Sequence, residues 1–497
     1  MKKLFLIVGL VALIIAGGCS KDSAIQHRYH AEKLFHEAEA KLKKASIQAA
    51  SQDSALRDEI KAGYLKTIAY CWQNLDSVPG EAYPNDRREL ETIAFSSVER
   101  LSRFYFAEKK YDSAGLLIDQ LLTLTQLDGT PLLRTRLNQA HVNMMQGKPV
   151  NTINIYHSLL IRFYPPVNND NQIIMDVINL PLDVIAICRE LQNDSLLTAE
   201  KISAKDYYER LIDEWPNSAL ATVAHGNLAR LYADEKNYSA AITHLREVKD
   251  SIGGTDAEAR LLIANLTAGG LKDYPSAMVI YDELITETTD TLIRPHILMQ
   301  KAVALYDSKH YVECRATINL IRDEHESYFA RNSAPQKYLA LAFDKEGDWE
   351  RAETEYLRLI DQYATSEDAF NAYLVVAEHY EKTGNDKLTD LWYNRANDFY
   401  TRMASTYAGT SVEPSAIAFT ADVARRRGQW QQAADILVGL YERFPETEIG
   451  RKAIINAAGV YTQKLNNKSR GDSLLQILQN SLVGQQGDKN IGSNTDE

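Results

Sequence analysis

One short phrase recurs six times along this chain, and a recurrence at near-regular spacing constrains the fold more than any other feature. It reads KKYDSA at 109, KNYSAA at 236, KDYPSA at 272, KHYVEC at 309, GDWERA at 347 and GQWQQA at 428. Each copy has Lys or Gly, a spacer, an aromatic, two variable residues and a small residue. Four residues after the small one stand Ile118, Leu245, Tyr281, Ile318, Tyr356 and Leu437; seven after it stand Leu121, Val248, Leu284, Ile321, Leu359 and Leu440. Offsets of 0, 4 and 7 trace one face of a helix. Twelve residues before the small one come Ser102, Ala229, Asn265, Ala302, Ala340 and Ala421, each inside an earlier helical run. The unit is therefore helix, tight turn, helix, with small residues where the two axes approach.

The phrase itself is the turn. Gly347 and Gly428 suit the left-handed residue that ends a helix, and Lys in the other copies complements the negative end of the helix dipole. Asn237, Asp273 and Asp348 are expected to cap the second helix. The aromatics Tyr111, Tyr238, Tyr274, Tyr311, Trp349 and Trp430 then start that helix and fill the wedge between neighbouring pairs. Pro275 falls in the first helical turn, where proline is tolerated. Second helices end in phrases such as YERLIDEWPNS at 208, YLRLIDQYATS at 356 and YERFPETE at 441, with Ser or Thr placed to cap the next helix.

Consecutive units recur every 36 to 38 residues through Ala229, Asn265, Ala302, Ala340 and Ala377. QAHVNMMQGKPV at 139 and AEHYEKTGND at 377 read as degenerate copies, and residues 166–206 as a longer, irregular unit. The expected organisation has a leader at 1–18, a short tether at 19–26 and an N-terminal helical region at 27–88. The repeat array follows at 89–465, a capping helix at 466–483 and a disordered tail at 484–497.

The opening MKKLFLIVGLVALIIAGGCS has two lysines, an apolar run and small residues before Cys19. It resembles a bacterial lipoprotein signal, which implies cleavage before Cys19 and acylation of its thiol. Ala16 stands where that family more often has Leu or Val. Ser20, in place of the Asp that retains such proteins at the inner membrane, leans the expectation toward the outer membrane. The remaining cysteines, Cys71, Cys188 and Cys314, are too few and too scattered for a disulfide framework; Cys188 and Cys314 read as small apolar core residues.

The small, aromatic and proline pattern resembles the tetratricopeptide repeat. The resemblance implies an all-α, helix-turn-helix solenoid wound as a right-handed superhelix. Units longer than the standard one are similar to those of the BamD-type outer-membrane assembly lipoproteins, although those proteins are shorter. What the likeness implies is a lipid-anchored scaffold of the bacterial cell envelope that binds other envelope proteins or peptides, with outer-membrane protein assembly as one such role. The first helix of each pair then lines a groove, which selects Arg230, Asp344, Glu378, Glu381, Asp422 and Arg425. The Lys and Asn pair with which some members hold a carboxylate tail is missing: the corresponding positions are Gly226 with Arg230, Lys337 with Leu341, Leu374 with Glu378 and Ala418 with Asp422. The alternative is a SusD-type glycan or small-ligand capture lipoprotein. Such proteins carry long loops with exposed aromatics, whereas only Trp72, Trp215 and Trp392 here lie outside the repeat slots.

Catalytic chemistry is not legible. There is no HExxH, no GxxxxGK, no GxSxG and no CxxC, so no catalytic residue, cofactor or metal is expected. His27, His30 and His36 have helical spacing but no completing ligands, and they read as the polar side of an amphipathic helix. Asp and Glu outnumber Lys and Arg by 67 − 55 = 12, and no basic patch interleaves with aromatics, so nucleic acid is not an expected partner. Arg425, Arg426 and Arg427 form a short basic run with two readings, a site for a carboxylate partner or a complement to a helix C-terminus.

Overall fold

The computed structural model describes residues 21–47, 54–166, 171–248 and 255–487. The leader and Cys19 lie outside them. The chain divides at Ala204 and Lys205 into two compact units, and every regular element among the described residues is a helix.

The first unit opens with α1 (Lys21–Ile47), α2 (Ser54–Asn74) and α3 (Pro84–Ala107). It continues through α4 (Tyr111–Leu124), α5 (Gly129–Met145) and α6 (Pro149–Arg162) to α7 (Asn171–Ile178) and α8 (Leu180–Glu190). The division falls inside α9 (Asp194–Glu214). The second unit holds α10 (Ala219–Asp234), α11 (Tyr238–Leu245), α12 (Asp256–Asn265), α13 (Tyr274–Glu287), α14 (Arg294–Asp307), α15 (Tyr311–Glu324) and the short α16 (Glu326–Arg331). After them come α17 (Ser333–Glu346), α18 (Trp349–Gln362), α19 (Glu367–Lys382), α20 (Asp386–Thr406), α21 (Val412–Arg426), α22 (Trp430–Arg443), α23 (Glu448–Gln463) and α24 (Lys468–Gly487). Contacts run between sequence neighbours, α17 on α18, α18 on α19 and α19 on α20. Within each unit the fold is thus an all-α, tetratricopeptide-like helix-turn-helix solenoid, stabilised mainly by nearest-neighbour packing.

The recurring phrase meets its turn in every copy. The six aromatics are the first residues of α4, α11, α13, α15, α18 and α22. The residue two before each is left-handed: Gly347 and Gly428 at φ 84° and 71°, and also Lys109, Lys236, Lys272 and Lys309 at 55°, 61°, 60° and 66°. A side chain in that conformation costs on the order of 1 kcal/mol, and the turn is held by paired backbone bonds. Asp348 N–H reaches Phe343 O at 3.0 Å, Lys110 reaches Tyr105 at 2.8 Å and Gln429 reaches Ala424 at 2.8 Å, each five residues back. Asn237, Asp273 and Asp348 accept from the N–H groups of Ala240, Ser276 and Arg351. Ser218, Ser366 and Thr447 cap α10, α19 and α23 in the same way, each cap contributing about 1 kcal/mol.

The small residues Ala114, Ala241, Ala277, Cys314, Ala352 and Ala433 are all fully buried, and Ile118, Leu121, Ile318, Ile321, Tyr356 and Leu359 are nearly so. Burying an Ile or Leu side chain of this kind contributes about 1.5–3 kcal/mol. The spacing fails once. Ala264, not Asn265, occupies the closely packed slot of its unit, because a π-helical turn at Leu266–Gly270 takes up an additional residue. The Asp273 N–H accordingly bonds Thr267 O, six residues back instead of five. Asn265 turns instead to Tyr281, whose hydroxyl donates to its Oδ1 at 2.6 Å.

The irregular segment after α6 resolves into α7, α8 and the start of α9, and α24 continues past 483 to Gly487. Cys71, Cys188 and Cys314 are free and buried; burial pushes the Cys71 and Cys314 thiols up to about 12, so they are unreactive core groups. His27 and His30 pack against Tyr70, His27 Nδ1 lying 3.0 Å from its hydroxyl. No helix among the described residues is long and apolar enough to cross a membrane.

Candidate functional site

Five of the six groove residues come from three consecutive first helices, α17, α19 and α21, which touch in that order. Asp344, Glu378, Glu381, Asp422 and Arg425 all occupy the C-terminal halves of those helices. Arg230 does not join them. It is exposed on α10, with α12 and α14 intervening.

The strip is a set of matched charges. Glu378 pairs with Arg426 of the next first helix and, at 3.8 Å, with Lys382 on its own. Asp422 is paired with Arg425 at 2.8 Å across one helical turn. Burial raises the Asp422 carboxyl above the usual carboxylate range while Arg425 pulls it back. Burial also lowers the Arg426 guanidinium from its ordinary value. Arg427 leaves the strip and bonds Asn394 and Asp390 of α20 at 2.7 and 3.1 Å. The three arginines that the sequence groups as one basic run therefore point to three different carboxylates, and the role of Arg426 could not be found from its position at a helix end. Glu381 is exposed and accepts from the Tyr393 hydroxyl of α20 at 3.0 Å, which holds it at the edge of the strip.

Beside Asp344 lies a group that spacing did not select. His379 stacks face to face on Trp349, ring centroids 3.4 Å apart and planes 2° from parallel. Burial lowers the His379 pKa, with Asp344 and Glu353 acting in the opposite direction. Tyr380 meets the same indole edge-on at 6.2 Å and donates to Glu353. The other aromatics of the phrase take comparable wedge positions: Tyr111 packs on Phe106 and His141, Trp430 lies under the Lys464 ammonium at 4.9 Å, and Tyr238 covers the backbone of Gly270. All six are half-buried. Tyr111, Tyr238, Trp349 and Trp430 each reach the next helix pair in this way, while Tyr311 packs on Tyr306 of its own pair. Among the described residues, no group of three or more His, Cys, Asp or Glu side chains is placed to hold a metal ion.

Residues 338–366, which contain GDWERA, match the tetratricopeptide repeat family model. No curated protein matches the chain. Among solved structures it is similar to a tetratricopeptide repeat protein from Parabacteroides merdae, at 15% identity over 60% of this chain and 98% of that one, with a TM-score of 0.34. Yeast Tom70 is 11% identical over 94% of this chain and 99% of its own, with a TM-score of 0.35. The C-terminal part of a TPR repeat-containing protein from Cytophaga hutchinsonii is 13% identical over 64% and 98%, with a TM-score of 0.32.

Proposed function

We propose that this protein is a lipid-anchored scaffold of the bacterial cell envelope that binds other envelope proteins through the charged strip on α17, α19 and α21. The observation that carries the reading is the Glu378–Arg426 pair beside Asp422–Arg425: charges of both signs at the ends of two successive first helices, fixed by their own partners and partly exposed to solvent. Side chains already ordered by internal pairs lose little entropy when a partner binds, which favours specific recognition over raw affinity. A partner with a complementary pattern of acidic and basic groups fits such a strip. Outer-membrane protein assembly is the process this reading favours, on the strength of the resemblance of the repeats and of the leader.

The anchor and the strip are tested separately. Replacing Cys19 with Ser removes the thiol that accepts the acyl group, so labelled fatty acid enters the wild type and not the variant, and membrane attachment is lost with it. Incorporation into the variant, or none into the wild type, ends the lipoprotein reading. For the strip, partners crosslinked in intact cells are identified by mass spectrometry and compared between the wild type and a Glu378→Lys/Asp422→Lys variant. Equal recovery from both removes the strip as the binding surface.

A further inference from the structure

The first unit contains a cleft of about 610 Å³ whose walls are α4 and α6 and whose floor is α5. Its lining repeats a motif of its own. Gln139 Nε2 donates to Asp119 Oδ1 at 2.7 Å and its Oε1 accepts from Arg136 at 2.8 Å. Gln146 Nε2 donates to Asp112 Oδ1 at 2.7 Å and its Oε1 accepts from Lys148 at 3.0 Å. Each rung runs from an acid on the wall, through an amide on the floor, to a base. The two rungs are seven residues apart on α4, about 10 Å at 1.5 Å per helical residue, and that is also about three residues of extended chain.

Between the rungs the cleft is open. Gly115 stands between Asp112 and Asp119, and a Cβ there would come within 3.1 Å of Val142 Cγ1, so the missing side chain lets α4 close onto α5. Asn143 lies on the floor between Gln139 and Gln146, and Asn151 and Asn154 stand exposed on the α6 wall. Each asparagine presents a donor and an acceptor, and each of the two wall carboxylates keeps lone pairs beyond the one its glutamine occupies. Leu116 on one wall is about half exposed and Ile155 lies on the other.

We propose that this cleft binds an extended peptide segment of four or five residues through its main chain. A peptide group offers one N–H and one C=O, the same pair that a carboxamide offers in reverse, and the rung spacing places matching groups every third residue. Leu116 and Ile155 receive alternate side chains without selecting among them. The charges balance, Asp112 and Asp119 against Arg136 and Lys148, so neither an anion nor a cation is drawn in. No aromatic side chain lines the cleft, so a sugar ring finds no platform for its apolar face. This site shares with the proposed scaffold role only the class of partner, and its residues lie entirely in the first unit, so the two readings can fail separately.

The test pans a random 12-residue phage peptide library against the purified full chain and measures an enriched peptide by fluorescence anisotropy. An Asn143→Ala/Asn151→Ala/Asn154→Ala variant is expected to bind it at least tenfold more weakly with an unchanged melting curve. N-methylation of two alternate backbone amides in the peptide is expected to cost at least tenfold as well, while Glu378→Lys leaves binding unaltered. Absence of any enriched peptide sensitive to the triple substitution overturns the proposal. Indifference to N-methylation overturns it too, since side chains would then be what is read, and so does a glycan array in which sugars bind the wild type and not the triple variant.

Discussion

Trp349 lies flat on His379 with ring centroids 3.4 Å apart, so the first residue of one unit's second helix is the bearing surface for the first helix of the next. Truncating Trp349 to Ala removes this contact together with those to Tyr356 and Tyr380. The expected cost is about 3 kcal/mol, the low end for a large aromatic because the ring is half-buried. Ala352, one turn further on and fully buried, has no room for Leu, and that replacement costs about 1–3 kcal/mol by overpacking. Hydrogen exchange reads both losses first in α17 to α20 and least in α3 to α6, since a solenoid transmits stability between neighbours.

Gly270 gives a second, sharper test of the wedge. A Cβ at this position would sit 2.6–2.8 Å from three ring atoms of Tyr238, and Tyr238 is the first residue of α11. Gly270→Ala should therefore destabilise by about 1–3 kcal/mol, and much less so in a Tyr238→Ala background. Urea melts of the four proteins of this double-mutant cycle give the coupling; additive losses would show that the tyrosine is not what the methyl group strikes.

How much of this was legible in the sequence depends on how far apart the interacting residues are. Trp349, Ala352, Tyr356 and Leu359 lie within three helical turns, so their period gave the helix, its start and its buried face directly. Apolar spacing points to Asn265, one residue past the packed Ala264, because a π-helical turn leaves no mark in that spacing; Gly269 and Gly270 inside the turn are its local sign. Glu378 and Arg426 meet across a whole helix pair, and nothing in one dimension distinguishes an arginine that reaches a neighbour from one that only complements its own helix end. The two rungs of the α4–α6 cleft were invisible for the same reason, each joining α4 to α5.

Acid should weaken the second unit near α10 and α11. His225 and His244 face each other with Nδ1 atoms 3.0 Å apart, and His244 stacks on Tyr232. One ring must donate and the other accept, which two imidazoliums cannot do. Burial lowers both pKa values below the ordinary 6.5; His244 further lowers that of His225, while Glu247 and Glu209 oppose the shifts. With folded pKa values below the unfolded ones, the unfolded chain binds protons first. The pair's contribution is full above about pH 7.5 and falls as pH drops through 6.5 toward the folded values. The urea midpoint is expected to decline between pH 7.5 and 5.5, and to decline less in His225→Gln. An equal decline in both would assign the acid sensitivity to other groups.

Exchanging the charges of the strip separates stability from recognition. Glu378→Arg with Arg426→Glu restores an ion pair of opposite sense, and a partly exposed pair contributes only about 0–1 kcal/mol, so thermal melting of the double variant should stay near that of the wild type. Capture of the envelope partner should fall at least tenfold, because the pattern the partner meets is reversed. Full capture with the swapped pair would show that the strip is solvated surface and nothing more.

The central claim, that one edge of the α17, α19 and α21 helices binds another envelope protein, is tested most directly by site-specific photocrosslinking in living cells. A photoreactive residue is placed in turn at Asp344, Glu378 and Asp422, and at the exposed Glu350 and Leu357 of α18 as controls. The account predicts a discrete, shared protein adduct from the three strip positions and none from the two controls. Adducts from α18 alone, or the same faint spread of products from all five positions, would contradict it.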